Sequence, residues 1–272
     1  MKLYFPILCL CLSTVIMLGG CKNSAEKIDD ETEALFADDA PEIKGDSMVY
    51  GLSCDGTSDS VVVIWPFTGD PISLSTIDAK ENKRIIGKPE IGDWIGVMLD
   101  PEDSTCAKMV VNLDELKGTW TYPVMPVMKK LQNMSRRAQR RMMAYIDDSI
   151  KNRFMIPREY GFTLKRSHNA QAVGRVMRSN SLEDDSPVVY PPVQNYTKWY
   201  MLNGKLVLIS REGGMPGVTG AAKAVYKLDT LELISLSNDS LILKHHETRY
   251  GFHRKLNAME ANRVAQEKAL KQ

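Results

Sequence analysis

Trp199-Tyr200-Met201-Leu202-Asn203-Gly204-Lys205-Leu206-Val207-Leu208-Ile209 is two apolar runs joined by an Asn-Gly pair. Both residues of that pair tolerate the positive φ of a tight two-residue turn, so the stretch reads as an antiparallel hairpin. The pattern returns downstream as Leu233-Ile234-Ser235-Leu236, Asn238-Asp239 and Ser240-Leu241-Ile242-Leu243. Thr248–Arg254 follows as a last strand, with Tyr250 and Phe252 on one face and Arg249 and His253 on the other. Upstream, residues 46–116 carry further short apolar runs: Met48–Leu52, Val61–Trp65, Ile72–Ile77, Lys83–Ile86, Trp94–Leu99 and Ala107–Val111. Asp55-Gly56, Gly69-Asp70-Pro71, Gly87-Lys88-Pro89 and Asp100-Pro101 separate several of them. A spacing of about ten residues with such punctuation predicts a small barrel or sandwich.

Residues 117–256 open with Lys117-Gly118-Thr119-Trp120, then Thr121-Tyr122. A Gly-x-Trp at a first strand resembles the commonest lipocalin mark, in which the Trp closes the barrel end and the Gly permits close backbone approach. With the C-terminal hairpins, this part resembles the lipocalin-like domain of Bacteroidota lipoproteins, an up-and-down barrel. The resemblance implies a barrel able to hold one small apolar ligand, and it supplies no catalytic residues. Trp120, Tyr122, Trp199, Tyr250 and Phe252 are the candidate lining, each equally able to be core. In residues 46–116, Ile91-Gly92-Asp93-Trp94 resembles the turn entering a strand of small OB-like barrels. Such folds often stack bases on aromatics in a basic groove. This segment leans acidic, so core packing is the better reading of Tyr50, Trp65, Phe67 and Trp94, and no nucleic-acid partner is expected.

The start of the chain predicts export. Lys2 precedes an uncharged apolar stretch, Leu3 to Leu18, which ends in Leu18-Gly19-Gly20-Cys21. A positive start, an apolar middle and small residues at the cut make a signal peptide, and the run is short for a membrane span. Leu-Gly-Gly-Cys resembles the bacterial lipobox, which implies cleavage after Gly20 and acylation of Cys21. The expected location is the bacterial cell envelope, with the bilayer as partner; Lys22 rather than Asp after the Cys points to the outer membrane. Residues 22–45 carry eight acids against three lysines and read as a solvated tether. Of five cysteines, Cys54 and Cys106 remain after processing, in an oxidising compartment. They form either a disulfide or two unpaired thiols.

A helix over about residues 125–153 interrupts the strands, because Val127, Met128, Leu131, Met134, Ala138, Met142, Tyr145, Ile146, Ile150 and Phe154 recur at three- and four-residue spacing. Lys129, Lys130, Arg136, Arg137, Arg140 and Arg141 occupy its other faces. A solvated face on a helix that plugs or caps a barrel end is preferred to contact with acidic headgroups or an acidic partner. Residues 257–272 read as a C-terminal helix, packed on the barrel or free. Gly213–Gly220 lacks the Lys-Ser/Thr of a phosphate loop and reads as a loop at the barrel mouth. His245 and His246, adjacent on an expected strand, should point to opposite faces, and no metal-ligand spacing is present.

The expected fold class is therefore mainly β. Its parts are a signal peptide (1–20), a lipidated tether (21–45), an OB-like barrel (46–116), a lipocalin-like barrel with an inserted amphipathic helix (117–256) and a short helix (257–272). A net charge of +1 gives no case for bulk electrostatic binding of nucleic acid. The expected function is non-catalytic and cofactor-free: an envelope lipoprotein binding a small apolar ligand. The rival is a structural or protein-interaction component of an envelope complex, with filled barrels.

Overall fold

The computed structural model describes residues 44–175, 186–213 and 225–257, and residues 261–263, 265 and 267. The signal peptide, Cys21, nearly all of the tether and most of the glycine-rich loop lie outside these residues. The described chain is mainly β and forms two barrel-like sheets.

The first barrel comprises β1 (Met48–Ser53), β2 (Val61–Pro66), β3 (Ile72–Ser75), the two-residue β4 (Ile85–Ile86), β5 (Trp94–Leu99) and β6 (Ala107–Asn112). Its order is β3-β2-β1-β5-β6-β4, and a parallel bridge from Ser75 to Cys106 joins β3 to the start of β6. The sheet thus closes as β1-β2-β3-β6-β5, an OB-like arrangement. Alternation sets the faces: Val62 and Ile64 point inward, and Val61, Val63 and Trp65 do not. Val62, Ile64, Leu74, Ile95, Val97, Ala107 and Val110 fill the interior. A helix, α1 (Ile77–Glu81), takes up the end of the run expected to be strand through Ile77. Trp65 and Phe67 are 53% and 69% exposed, which overturns their assignment to the core.

The second barrel uses β7 (Gly118–Val124), β9 (Arg158–Leu164), β10 (Ala170–Val173), β12 (Tyr196–Leu202), β13 (Lys205–Glu212), β14 (Val225–Leu236), β15 (Ser240–His245) and β16 (Thr248–Lys255). Every pair in the order β10-β9-β7-β16-β15-β14-β13-β12 is antiparallel. The edges β10 and β12 meet where Asn169 bridges Lys198 and the Trp199 N–H donates to the His168 carbonyl at 2.8 Å. Asn203 and Gly204 turn the β12–β13 hairpin with φ of 49° and 76°. Gly161 on β9 sits where a Cβ would lie 1.9 Å from the Trp120 carbonyl oxygen, so only glycine lets β9 close on β7 there.

The barrels share one apolar cluster. Met48, Trp94, Val111 and Leu113 of the first part pack with Trp120, Trp199, Leu206 and Leu233 of the second. Polar contacts reinforce the joint: Ser47 donates through its N–H and its hydroxyl to Asn203 Oδ1, and the Asn203 N–H donates to Asp46 Oδ1 at 3.0 Å. At the C-terminus, Asn262 brackets β9 by accepting from the Glu159 N–H and donating to its carbonyl. Asn262 thus ties the described part of this segment to the barrel.

The excursion between β7 and β9 is not one helix. It begins with β8 (Val127–Met128), paired with β11 (Val188–Val189), and a single 3-10 turn (Lys129–Leu131). Two short helices follow, α3 (Arg136–Ala144) and α4 (Asp148–Phe154), after the one-turn α2 (Leu113–Leu116) that precedes β7. The Ser135 hydroxyl accepts from the Ala138 N–H and starts α3; α4 starts afresh after Asp147, so the apolar periodicity ran across a break. Neither α3 nor α4 buries a residue, and Met142 and Tyr145 are exposed, so this arm does not plug the barrel.

Cys54 and Cys106 are free thiols. Cys54 follows β1 beside the start of β5, whereas the Cys106 carbonyl accepts from the Asp100 N–H beyond the end of β5. The six residues of β5 span about 20 Å at roughly 3.3 Å each, far beyond the roughly 7 Å limit between bridged Cα atoms. The two thiols are not bonded to each other in this structure. The Cys106 thiol donates to Asp103, which pushes its pKa up.

Candidate functional site

Along β7 the inward residues are Trp120, Tyr122 and Val124, running from the floor of the second barrel to its mouth. Trp120 is fully buried and donates its indole N–H to the Leu116 carbonyl at 2.7 Å. The Arg254 guanidinium lies over its ring at 4.2 Å. That same side chain donates Nη1 to the Lys117 carbonyl at 2.7 Å, Nη2 to the Glu115 carbonyl and Nε to the Asn238 carbonyl. Trp, Arg and three carbonyls thus seal one end of the barrel.

Above that floor lies a cavity of about 390 Å3. Tyr122 and Tyr160 face each other across β7 and β9, and Tyr196, Tyr250, Phe252 and Leu231 complete most of the wall. The rings meet edge to face: Tyr122 with Phe252 at 5.3 Å, and Phe162 with Tyr196 at 6.0 Å. Such pairing fixes the wall geometry beyond what area burial supplies. Burial pushes the pKa values of Tyr122, Tyr160 and Tyr196 up, so these phenols are neutral at any biological pH. One side is polar, where Lys227 pairs with the largely buried Asp229 at 3.4 Å and His245 lines the wall. The cavity therefore suits a mainly apolar molecule with one polar end.

Three of the five residues proposed as lining from the sequence are there: Tyr122, Tyr250 and Phe252. Trp120 is core beneath the cavity. Trp199 is fully buried, donates its indole N–H to the Lys165 carbonyl at 2.8 Å, and lines a different pocket at the junction of the two barrels. Sequence reasoning missed Tyr160, Tyr196 and the Pro191–Gln194 rim. Tyr196 and Tyr160 sit in alternating strand patterns that could have been read. The rim could not, because Tyr190-Pro191-Pro192 signals only that a strand stops. The Tyr160 hydroxyl pins it by donating to the Pro191 carbonyl at 2.7 Å, and the Tyr190 ring stacks under Arg158 at 3.6 Å.

His245 and His246 were expected to point apart. Instead His246 leaves the strand with φ of 52° and its ring comes within 4.3 Å of that of His245. Among the described residues, no group of three His, Cys, Asp or Glu side chains could hold a metal, and no helix is long and apolar enough to cross a membrane.

No family model and no curated protein matches the chain. A solved lipocalin-like protein from Bacteroides thetaiotaomicron is similar over 51% of this chain and 94% of its own, at 14% identity and a TM-score of 0.27.

Proposed function

We propose that this protein is a non-catalytic, lipid-anchored component of a bacterial cell envelope, placed in the outer membrane, that holds one small, mainly apolar molecule in its second barrel. The cavity of about 390 Å3 above the Trp120 floor carries this reading, since its volume lies within the range of small-molecule sites. Its tyrosines give rigid aromatic walls, and the Lys227–Asp229 pair orients a polar end. Anchoring rests on Leu18-Gly19-Gly20-Cys21 at the end of the apolar leader. Several acyl chains on Cys21 would hold the protein firmly, at about 0.8 kcal/mol per buried CH2. Cys21→Ser should then move the protein from the membrane to the soluble envelope fraction; persistence in the membrane fraction would remove the anchor from this reading.

The binding claim is tested with the neutral fluorophore N-phenyl-1-naphthylamine. Its emission should rise on binding the wild-type chain. Leu231→Trp, which places an indole in the cavity from a half-buried position, should weaken the fluorophore at least about tenfold, or 1.4 kcal/mol. Equal affinity for both chains contradicts the cavity as the site. A second reading has one observation of its own: the basic arm carries Met142 and Tyr145 exposed, as a contact with an acidic envelope protein would use.

A further inference from the structure

Where the two barrels meet there is a second, smaller pocket of about 270 Å3. Its walls come from separate parts of the chain: Tyr50 on β1, Phe67 in the β2–β3 turn, Trp94 at the start of β5, His168 in the β9–β10 turn, and Trp199 and Tyr200 on β12. Four of these rings pack on one another as the back of the pocket. Trp94 meets Trp199 at 62° and His168 at 81°, whereas His168 lies nearly parallel on Tyr200, at 5.1 Å.

The charged residue in the lining is Asp46, whose carboxylate accepts from the Tyr50 hydroxyl and the Asn203 N–H. Among the described residues no lysine or arginine lines the pocket, although Lys198 lies close enough to act electrostatically on His168. Burial lowers the His168 pKa, so the imidazole faces the pocket as a neutral ring. The interior thus presents aromatic π faces and one carboxylate, all favouring positive charge.

His168 turns the chain between β9 and β10 in a left-handed backbone with φ of 62°, and its carbonyl accepts from the Trp199 N–H. The buried Trp94 indole N–H has no acceptor among the described residues.

We propose that this junction pocket binds a small organic cation of the quaternary-ammonium class, held against Tyr50, Tyr200 and the exposed edge of Trp94, with Trp199 packed behind them, and neutralised by Asp46. The site is separate from the barrel cavity and does not depend on its reading. Phe67, largely exposed at the entrance, closes over the cation.

Calorimetry on the full chain with choline and its uncharged isostere 3,3-dimethylbutan-1-ol isolates the charge, because the two match in shape. Choline should bind at least about tenfold more tightly. Phe67→Ala, at an exposed position that leaves the core intact, should weaken choline about fivefold without altering N-phenyl-1-naphthylamine binding in the barrel. Asp46→Asn should erase the preference for choline over the isostere. If the cation is a lipid headgroup, the chain will co-sediment with phosphatidylcholine vesicles and not with phosphatidylglycerol vesicles. If it is a soluble molecule, choline will bind and neither vesicle will. Equal binding of choline and its isostere, or choline binding unchanged in both variants, overturns the proposal.

Discussion

Trp120→Ala is expected to lower the unfolding free energy by about 3–5 kcal/mol, the usual cost of removing a buried aromatic side chain. Trp120 has no exposed surface, and its ring lies in the cluster that the two barrels share. Truncation leaves a void under the cavity floor, orphans the Leu116 carbonyl and strips the Arg254 guanidinium of the ring it covers. Trp120→Phe keeps most of the volume and loses only the hydrogen bond and some area, so about half that cost is expected. Urea unfolding followed by circular dichroism reads both. A Trp120→Ala chain within about 1 kcal/mol of wild type would mean that this end of the barrel is not closed by the indole.

The second large effect is at Arg254. Arg254→Met keeps the length and apolar character of the side chain but removes three donors from the Glu115, Lys117 and Asn238 carbonyls. Hydrogen bonds to a charged group contribute about 1.5–3 kcal/mol each at most, and a carbonyl left in a partly buried place loses its partner without regaining full hydration. Some of the three will find water, so a total near about 3 kcal/mol is expected. The guanidinium also sits on the Trp120 face. The double variant with Trp120→Phe should therefore differ from the sum of the singles by about 0.5–1 kcal/mol. Strict additivity would show that the stacked pair carries no energy of its own.

The strands were legible because both of their signals are local. Val61–Trp65 read as a strand from its run of β-branched residues, and Asn203-Gly204 fixed the turn that joins β12 to β13. Gly118-Thr119-Trp120 correctly marked the start of the second barrel. The failures came where burial depends on distant chain. Trp65 and Phe67 read as core because aromatics usually are, yet their positions fall on the outer face and in a turn. The helical periodicity of residues 125–153 was real in part, but nothing in a spacing shows a break at Asp147 or that no surface waits to cover the apolar side. Cys54 follows β1 and Cys106 precedes β6, and only the register of β5 between them shows that they lie at its opposite ends. The lining was half legible for a similar reason: Tyr122, Tyr250 and Phe252 follow from strand alternation, whereas telling the Trp120 floor from the Tyr122 wall needs the height of each residue in the barrel.

The proposed function requires a hollow second barrel that holds a ligand. Native mass spectrometry of the gently purified chain tests this most directly. Wild type should carry a non-covalent adduct of a few hundred daltons that Leu231→Trp loses while its circular dichroism spectrum stays unchanged. An adduct retained in full by Leu231→Trp, or a wild-type chain at its bare mass that also fails to bind N-phenyl-1-naphthylamine, would contradict it.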